Sequence, residues 1–399
     1  MQGYRQRAQE AEVERRLASA PVVAVLGPRQ CGKSTLARHL LQRHSPAVLL
    51  DLERPLDRAR LADPEAFLAL HRESLVCLDE VQRTPDLFPI LRSVVDERAR
   101  PGQFLILGSA SPELLRQSSE SLAGRIAFVE LTGFLLSELS GVGGPDTLGT
   151  RWLRGGFPRS VLADDDEMSA EWRRDFMGTF LERDIARIAP RIPDERLARF
   201  WRMCAHVHGQ LLNSTRLAAA LGVSGHTIGA YLELLERTFM VRLLAPLQAN
   251  LRKRLVRSPK VLIRDTGVLH SLLGIESRDD LLGHPSRGAS WEGLVIEHVV
   301  AAFPRWRPSF VRTMAGAEMD LILERGRRRL GVECKAASAP RVSRGFWTVA
   351  EDLALEQSFV VAPIREGFPL GPGAAAVSLP ELIASAERID AGERHPLLG

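Results

Sequence analysis

The chain has 399 residues, of which 45% are hydrophobic and 26% charged, and its formal net charge at pH 7 is +4. These values are ordinary for a globular protein, and the length allows about two to four domains. Because the sequence has no run of about 18 apolar residues and no apolar segment near its N-terminus, we expect neither a membrane span nor a secretory signal. Its four cysteines form no CxxC pair, which argues against a zinc site or disulfide framework and favours the cytoplasm.

Lysine is rare in this sequence, since only four of the 53 basic residues are lysines: Lys33, Lys253, Lys260 and Lys335. An ammonium group is a compact point charge, whereas a guanidinium is a planar fork that stays charged. The few positions that carry lysine are therefore candidates for a specific role. Two of them fall inside motifs described below.

Between residues 20 and 140, short apolar runs alternate with helical stretches, which is typical of an α/β domain. Strands are expected at PVVAVLG, AVLLDLE, SLVCLDE and QFLILGSA. A Gly-rich linker is predicted at 140–149, helices at 165–205, and a helix-turn-helix followed by a strand at 211–245. A strand and a helix at 258–275 precede a second, polar linker, and a helix and further strands follow from residue 290. We therefore predict domains at 1–140, 141–205, 206–280 and 281–399.

The segment GPRQCGKST matches the pattern GxxxxGK[ST] through Gly27, Gly32, Lys33 and Ser34. Glycines let backbone N–H groups surround phosphate oxygens at a helix N-terminus, lysine reaches the β- and γ-phosphates, and the serine hydroxyl binds Mg²⁺. A chance match in a glycine-containing loop is the alternative, but a strand precedes the motif and a helix follows it. The predicted cofactors are ATP and Mg²⁺, and the predicted binding residues are Gly27, Pro28, Arg29, Gln30, Cys31, Gly32, Lys33, Ser34 and Thr35.

A second motif, LVCLDE, places Asp79 and Glu80 at the end of an apolar strand. We expect Asp79 to hold Mg²⁺ and Glu80 to act as the base for an attacking water. Ser109 or Ser111 of LILGSAS would sense the γ-phosphate, unless this segment is only a serine-rich turn. Arg125 of SLAGR is either an arginine finger for a neighbouring subunit or a surface arginine.

Together with GGFP (155–158) and FLERDI (180–185), these motifs resemble a large group of prokaryotic ATP-binding proteins over residues 15–365. The resemblance implies an AAA-like P-loop ATPase core, a small helical lid and a C-terminal region labelled a domain of unknown function. AAA-type cores usually work as rings, so we expect a homo-oligomer, a hexamer, with Arg125 acting across the interface. Cys31 inside the phosphate loop is a departure that should be tolerated.

The helix-turn-helix at 211–245 has one apolar face on each helix and outlines a winged helix, which often reads DNA. Packing between domains is the alternative use. The stretch that follows carries basic residues without an acid and is predicted to bind DNA phosphates. The residues are Arg252, Lys253, Arg254, Arg257 and Lys260, and a solvated charged loop is the alternative.

The C-terminal part contains a nuclease-like pattern. A hairpin would bring Asp320 close to Glu333, and alternation along the strand puts Lys335 on the same face as Glu333. Glu292 would add a third carboxylate, with Glu297 as its substitute. This arrangement can bind Mg²⁺ and orient a water, and it resembles the restriction-endonuclease-like α/β fold, including Holliday-junction resolvases. A scaffold that holds DNA without cutting it, or a coincidental charged hairpin, remains possible.

Three functions follow from these motifs. The first is a DNA-remodelling ATPase that acts on branched DNA such as Holliday junctions. The second is a signalling NTPase that switches with its nucleotide and holds protein partners. The third is a nuclease gated by ATP. We favour the first, because the basic stretch and both C-terminal domains suit a polyanion.

Overall fold

The computed structural model describes residues 4–108, 121–144, 146–248, 255–314 and 316–398. Within these ranges the chain forms two compact units. The first contains the described residues up to Glu138, together with Gly156–Pro158 and Arg237–Phe239. The second contains Leu139–Gly155, Arg159–Glu236 and the described residues from Met240 onwards. None of the helices in these ranges is both long and apolar enough to cross a membrane.

The first unit is built on a five-stranded parallel sheet in the order β2-β3-β4-β1-β5. The strands are β1 (Val22–Leu26), β2 (Ala47–Asp51), β3 (Leu75–Asp79), β4 (Phe104–Gly108) and β5 (Ile126–Glu130). Its helices within the described ranges are Glu10–Leu17, Lys33–Leu41, Pro55–Arg60, Pro64–Leu70 and Leu87–Arg98. The predicted α/β class is confirmed for this part of the chain.

Both faces of this sheet are covered by helices, so its central strands are continuous apolar runs. Along β1, Val22 and Ala24 pack into one core with the helix Leu87–Arg98. Val23 and Val25 point to the other face and pack with the helices Glu10–Leu17 and Lys33–Leu41. Because side chains alternate along a strand, this single apolar run supplies both cores.

From Glu138 to the C-terminal sheet the described chain is mainly helical, and further helices lie between and after the strands of that sheet. Helices span Thr147–Arg154, Pro158–Val161, Asp166–Thr179, Ala186–Ile188, Asp194–His206, Ser214–Leu221, Gly225–Arg237, Thr266–Leu273, Arg278–Gly283, Arg287–Ala302, Arg344–Asp352, Leu379–Ala384 and Ala386–Asp390. A π-helical turn, Phe180–Ile185, joins two of them. The first predicted linker, 140–149, forms turns up to residue 144 and ends in the helix that starts at Thr147, which Asp146 caps. The second is largely helical, because a capping box formed by Ser277 and Asp280 starts the helix at Arg278.

Two sheets belong to the second unit. β6 (Val241–Leu244) and β7 (Lys260–Ile263) form an antiparallel pair. A separate C-terminal sheet has six strands in the order β12-β13-β11-β10-β9-β8. They are β8 (Arg307–Arg312), β9 (Glu318–Arg325), β10 (Arg328–Cys334), β11 (Gln357–Val361), β12 (Phe368–Gly371) and β13 (Ala374–Val377). β9 and β10 form the expected antiparallel hairpin, in which Arg325 lies opposite Arg328.

Glu297 joins β6 and β7 to the helix Arg287–Ala302 through two buried ion pairs. Its carboxylate accepts hydrogen bonds from Arg242 at 3.0 Å and from Arg264 at 3.0 Å. Burial alone would raise the pKa of Glu297, but the two guanidinium groups outweigh it and lower this pKa to about 2. Glu297 therefore has a structural role, and our expectation that it could replace Glu292 in a metal site is wrong.

We predict that Glu297→Gln lowers the unfolding free energy of the second unit by about 3–5 kcal/mol at pH 7, because it leaves two guanidinium groups buried without a counter-charge. In the wild type, the contribution of Glu297 is fully present above its unfolded pKa near 4.5 and is lost as the pH falls from there towards 2. All six tryptophans lie between residues 152 and 347, so denaturation followed by tryptophan fluorescence reports on this unit alone.

Glu276→Gln is the matched control, since Glu276 and its partner Arg174 are 59% and 49% exposed. An exposed pair of this kind contributes at most about 1 kcal/mol. Equal losses of stability in the two variants would contradict the structural role of Glu297.

Candidate nucleotide site

The loop between β1 and the helix Lys33–Leu41 has a backbone conformation that needs glycine at two positions. Gly27 leaves no room for a side chain, because a Cβ there would lie 2.1 Å from the carbonyl oxygen of Leu131. Gly32 has a φ of +102°, in the left-handed region that favours glycine, and Gln30 has a φ of +61°. The helix begins at Lys33, directly after this curl, so its free N–H groups face the loop.

Lys33 is 6% exposed, and its ammonium group folds back over the loop. Nζ donates hydrogen bonds to the carbonyl oxygens of Gly27 at 3.0 Å and of Pro28 at 2.9 Å. A positive charge is therefore held at the mouth of the loop by two neutral acceptors. Such bonds are weaker than those an ammonium makes to an anion, so a phosphate can replace them.

The acidic end of β3 meets the phosphate loop because of the order of the strands. β4 lies between β1 and β3, and all three run parallel, so their carboxyl ends share one edge. At this edge the Ser34 hydroxyl donates a hydrogen bond of 2.5 Å to Asp79. A serine hydroxyl beside a carboxylate is the pair of oxygen ligands expected for a Mg²⁺ ion that also binds phosphate.

Glu80 follows Asp79 in a left-handed backbone conformation, with a φ of +57°. Its carboxylate accepts a hydrogen bond from the side chain of Gln82. Burial raises the pKa of Glu80 and also that of Asp79, although Lys33 lowers both. A carboxylate with a raised pKa is a stronger base, which suits proton abstraction from water.

Sequence reasoning missed Arg7, which buttresses the phosphate loop from behind. Its guanidinium donates to the carbonyl oxygens of Cys31 at 2.9 Å and of Thr132 at 2.7 Å. Its Nε lies 3.2 Å from the carboxylate of Glu138. No motif marks Arg7 in the sequence, because its partners are backbone atoms and a distant acid.

The remaining predicted residues of the first unit are placed as follows. Cys31 is buried, with its Sγ 3.4 Å from the carbonyl oxygen of Leu131. Arg29 lies 3.8 Å from Glu53. Thr35 belongs to the first turn of the helix Lys33–Leu41. Ser109 and Ser111 lie outside the described residues.

Arg125 precedes β5 and forms a two-pronged ion pair with Asp96. Its Nε and Nη2 donate to the two carboxylate oxygens at 2.5 and 2.9 Å. Both side chains are partly open to solvent, at 31% and 47% exposure. Arg125 is therefore not part of the Lys33–Asp79 cluster of its own chain, as expected of either a surface arginine or a finger for a second copy.

The C-terminal candidates are brought together by the β9–β10 hairpin. Asp320 accepts a hydrogen bond of 2.9 Å from the backbone N–H of Cys334, and Lys335 donates one of 2.7 Å to Glu333. Burial, reinforced by the charge of Asp320, raises the pKa of Glu333 to about 7 and that of Glu292 to about 8. The four predicted residues thus form one charged group, in which Asp320 and Glu333 are buried and Glu292 and Lys335 are partly buried.

A fifth residue at this group corrects our expectation about DNA binding. Lys260 is 2% exposed and lies 2.8 Å from Glu292 and 3.1 Å from Asp320. A buried lysine enclosed by carboxylates cannot contact the phosphates of DNA in solvent. Our prediction that Lys260 belongs to the DNA-binding cluster is therefore wrong. Arg257 is exposed, as expected. Arg252, Lys253 and Arg254 lie outside the described residues.

The helix-turn-helix forms from Ser214–Leu221 and Gly225–Arg237, with Gly222 in the left-handed conformation between them. The apolar faces of both helices are buried; they carry Leu217, Ala218 and Leu221 on the first and Ile228, Tyr231, Leu232 and Leu235 on the second. Asn213 caps the first helix through a bond from the N–H of Arg216. β6 follows as the predicted strand.

Comparison with known families divides the chain into three parts. Residues 19–140 match a family described as an AAA domain. Residues 145–279 and 287–382 match two families described as domains of unknown function, DUF8612 and DUF4143. Among solved structures, the Walker-type ATPase PABY2304 of Pyrococcus abyssi is 17% identical, covers 68% of this chain and 96% of its own, and has a TM-score of 0.49. AMPPCP-bound DnaA from Aquifex aeolicus is 14% identical, with coverages of 57% and 85% and a TM-score of 0.31.

Two curated relatives are much more similar. They are the uncharacterized proteins Rv2008c of Mycobacterium tuberculosis and Mb2031c of Mycobacterium bovis. Each is 45% identical over 376 residues, which cover 94% of this chain and 84% of the relative. The chain therefore belongs to the family of these mycobacterial proteins, with an AAA domain in its N-terminal part and a DUF4143 domain in its C-terminal part.

Proposed function

We propose that this protein is a Mg²⁺-dependent ATPase that binds and remodels DNA as a ring oligomer, a hexamer. The ATPase assignment depends on one observation above all, the hydrogen bond of Ser34 to Asp79 beside the buried ammonium group of Lys33. The residues fit Mg-ATP, because the cluster offers a phosphate-binding loop, a cation and a pair of oxygen ligands at one edge of the sheet.

Each residue then has a defined task. Backbone N–H groups of residues 27–35 and the Lys33 ammonium bind the phosphates, and Ser34 and Asp79 hold Mg²⁺, which neutralises phosphate charge. Glu80 takes a proton from the attacking water, for which its raised pKa suits it. Gln82 keeps the Glu80 carboxylate in place. Arg7 holds the loop from behind through the Cys31 carbonyl.

Ring assembly is supported by Arg125. The guanidinium is partly exposed; it pairs with another surface side chain, Asp96, and donates one further hydrogen bond of 3.0 Å to the backbone carbonyl of Ala123. An exposed pair of this kind contributes little stability, so Arg125 can exchange Asp96 for a phosphate of a second copy at small cost. We propose that it acts in this way as an arginine finger.

DNA binding is supported by three features of the second unit. The helix pair Ser214–Leu221 and Gly225–Arg237 followed by β6 and β7 has the outline of a winged helix. The basic stretch 252–257 contains exposed Arg257. The hairpin with Asp320, Glu333 and Lys335 has the strand pattern of a nuclease-like fold, which suits holding branched DNA. The free thiols of all four cysteines fit a cytoplasmic location.

We expect Lys33→Ala to abolish ATP binding, because the loop loses the charge that meets the phosphates. Glu80→Gln should still bind ATP but lower kcat at least 100-fold, because the attacking water loses its base. Binding is measured with a fluorescent ATP analogue and turnover by phosphate release.

The control is Glu73→Gln, which changes an exposed acid just before β3 in the same way and should leave kcat within twofold. Normal turnover in Glu80→Gln would remove Glu80 from the role of base. Normal ATP binding in Lys33→Ala would overturn the nucleotide site itself.

We expect DNA affinity to fall steeply with salt, with a slope of log K against log [salt] of about −3 to −4 if four basic side chains neutralise phosphates. Arg257→Ala should reduce the size of this slope by about 1, whereas Arg394→Ala, another exposed arginine, should not change it. Binding and ATPase rates are compared over single-stranded, duplex, forked and four-way DNA.

A four-way junction that stimulates the ATPase more than duplex does would support remodelling of branched DNA. ATPase rates that ignore every DNA form, together with binding that does not respond to salt, would favour a signalling NTPase instead.

A further inference from the structure

The nuclease-like carboxylates already enclose a cation, the ammonium group of Lys260. Nζ of Lys260 lies 2.8 Å from Glu292, 2.9 Å from Glu318 and 3.1 Å from Asp320. Its side chain is 2% exposed, and its fourth side is closed by the ring of Phe310, whose centroid is 5.3 Å away. The ammonium therefore occupies the point on which three carboxylates converge.

The chemistry of this arrangement suits an ammonium ion. Lysine has three N–H donors and no acceptor, and here three carboxylate groups surround it, one for each donor. A divalent ion at the same point would lie against a positive charge in a buried region, where repulsion between like charges is strong.

The charges around Lys260 are also almost balanced without a metal. Glu318 is shared with Arg312 at 3.7 Å, and Glu333 binds Lys335 at 2.7 Å. Four carboxylates, those of Glu292, Glu318, Asp320 and Glu333, thus face three cations, Lys260, Arg312 and Lys335, so little net negative charge remains to attract a divalent ion.

We propose that Lys260 is a built-in counter-ion that takes the place of a divalent metal in the nuclease-like site. The wild-type carboxylates then bind neither Mg²⁺ nor Mn²⁺, and the hairpin holds DNA without cutting it. Replacing Lys260 by a neutral residue uncovers Glu292, Glu318 and Asp320 and creates a metal site. One further ligand is available to it, because Oε2 of buried Glu333 has no hydrogen-bond partner among the described residues.

The test is a Mn²⁺ titration of the nucleotide-free full-length chain, followed by electron paramagnetic resonance of free Mn²⁺. Lys260→Met should gain one site that binds Mn²⁺ at least tenfold more tightly than any site of the wild type. Adding Asp320→Asn to Lys260→Met should remove the gain. Lys260→Arg, which keeps the positive charge, should gain nothing. Comparing variants cancels any Mn²⁺ bound by Ser34 and Asp79 in the first unit.

Lys260→Met leaves buried Asp320 and partly buried Glu292 and Glu318 without their cation and lowers stability, so a second measurement accompanies the titration. Mn²⁺ should raise the Tm of Lys260→Met, read by tryptophan fluorescence, by several degrees and that of the wild type by less than one degree. If Lys260→Met does not fold, the wild type is compared with the single variant Asp320→Asn. A wild-type Mn²⁺ site that Asp320→Asn removes would overturn the proposal, and the absence of such a site would support it. A folded Lys260→Met that binds no Mn²⁺ would also overturn it.

Discussion

The hydrogen bond between Ser34 and Asp79 is the interaction on which the first unit's chemistry depends. It exists only because β4 lies between β1 and β3, so that two segments more than 40 residues apart reach the same edge of a parallel sheet. The strand register brings the ends of β1, β3 and β4 to nearly the same level, since Leu26 lies opposite Gly108 and Asp79 opposite Leu107. Any change that shifts these strands therefore separates the phosphate loop from its acidic partner, even if both motifs are intact.

The second unit uses buried charge in a different way. β7 begins at Lys260 and is followed by Arg264, and both are bound by acids of one helix, Glu292 and Glu297. The strand is thus attached at both ends to the helix Arg287–Ala302. Buried ion pairs add little net stability over apolar packing, but each strongly disfavours arrangements that would leave one partner alone. Here they fix the position of β7, the strand that joins the helix-turn-helix to the nuclease-like part of the sequence.

Sequence patterns predicted the features that depend on local chemistry. The parallel α/β core, the phosphate loop and the β9–β10 hairpin follow from apolar periodicity, glycine positions and short turns, and they form as expected. The second polar stretch, predicted as a linker, is mostly helical, because Ser277 starts a helix by capping, a signal as short as one residue. The partners of Arg7, Glu297 and Lys260 could not be predicted, because the residues of a long-range ion pair have no characteristic separation along the sequence.

One signal for Lys260 was nevertheless present in the composition. A chain that uses arginine for almost every positive charge has only four lysines. The structure places the ammonium groups of the three described ones, Lys33, Lys260 and Lys335, on oxygen atoms at 3.1 Å or less. A planar guanidinium donates in its own plane and matches one carboxylate in a forked geometry, whereas an ammonium donates in three directions. Two carbonyls of a tight loop, or three acids from a strand and a helix, need the second geometry. At Lys33 and Lys260, rare lysine in an arginine-rich chain therefore marks a position where one small charge meets several acceptors.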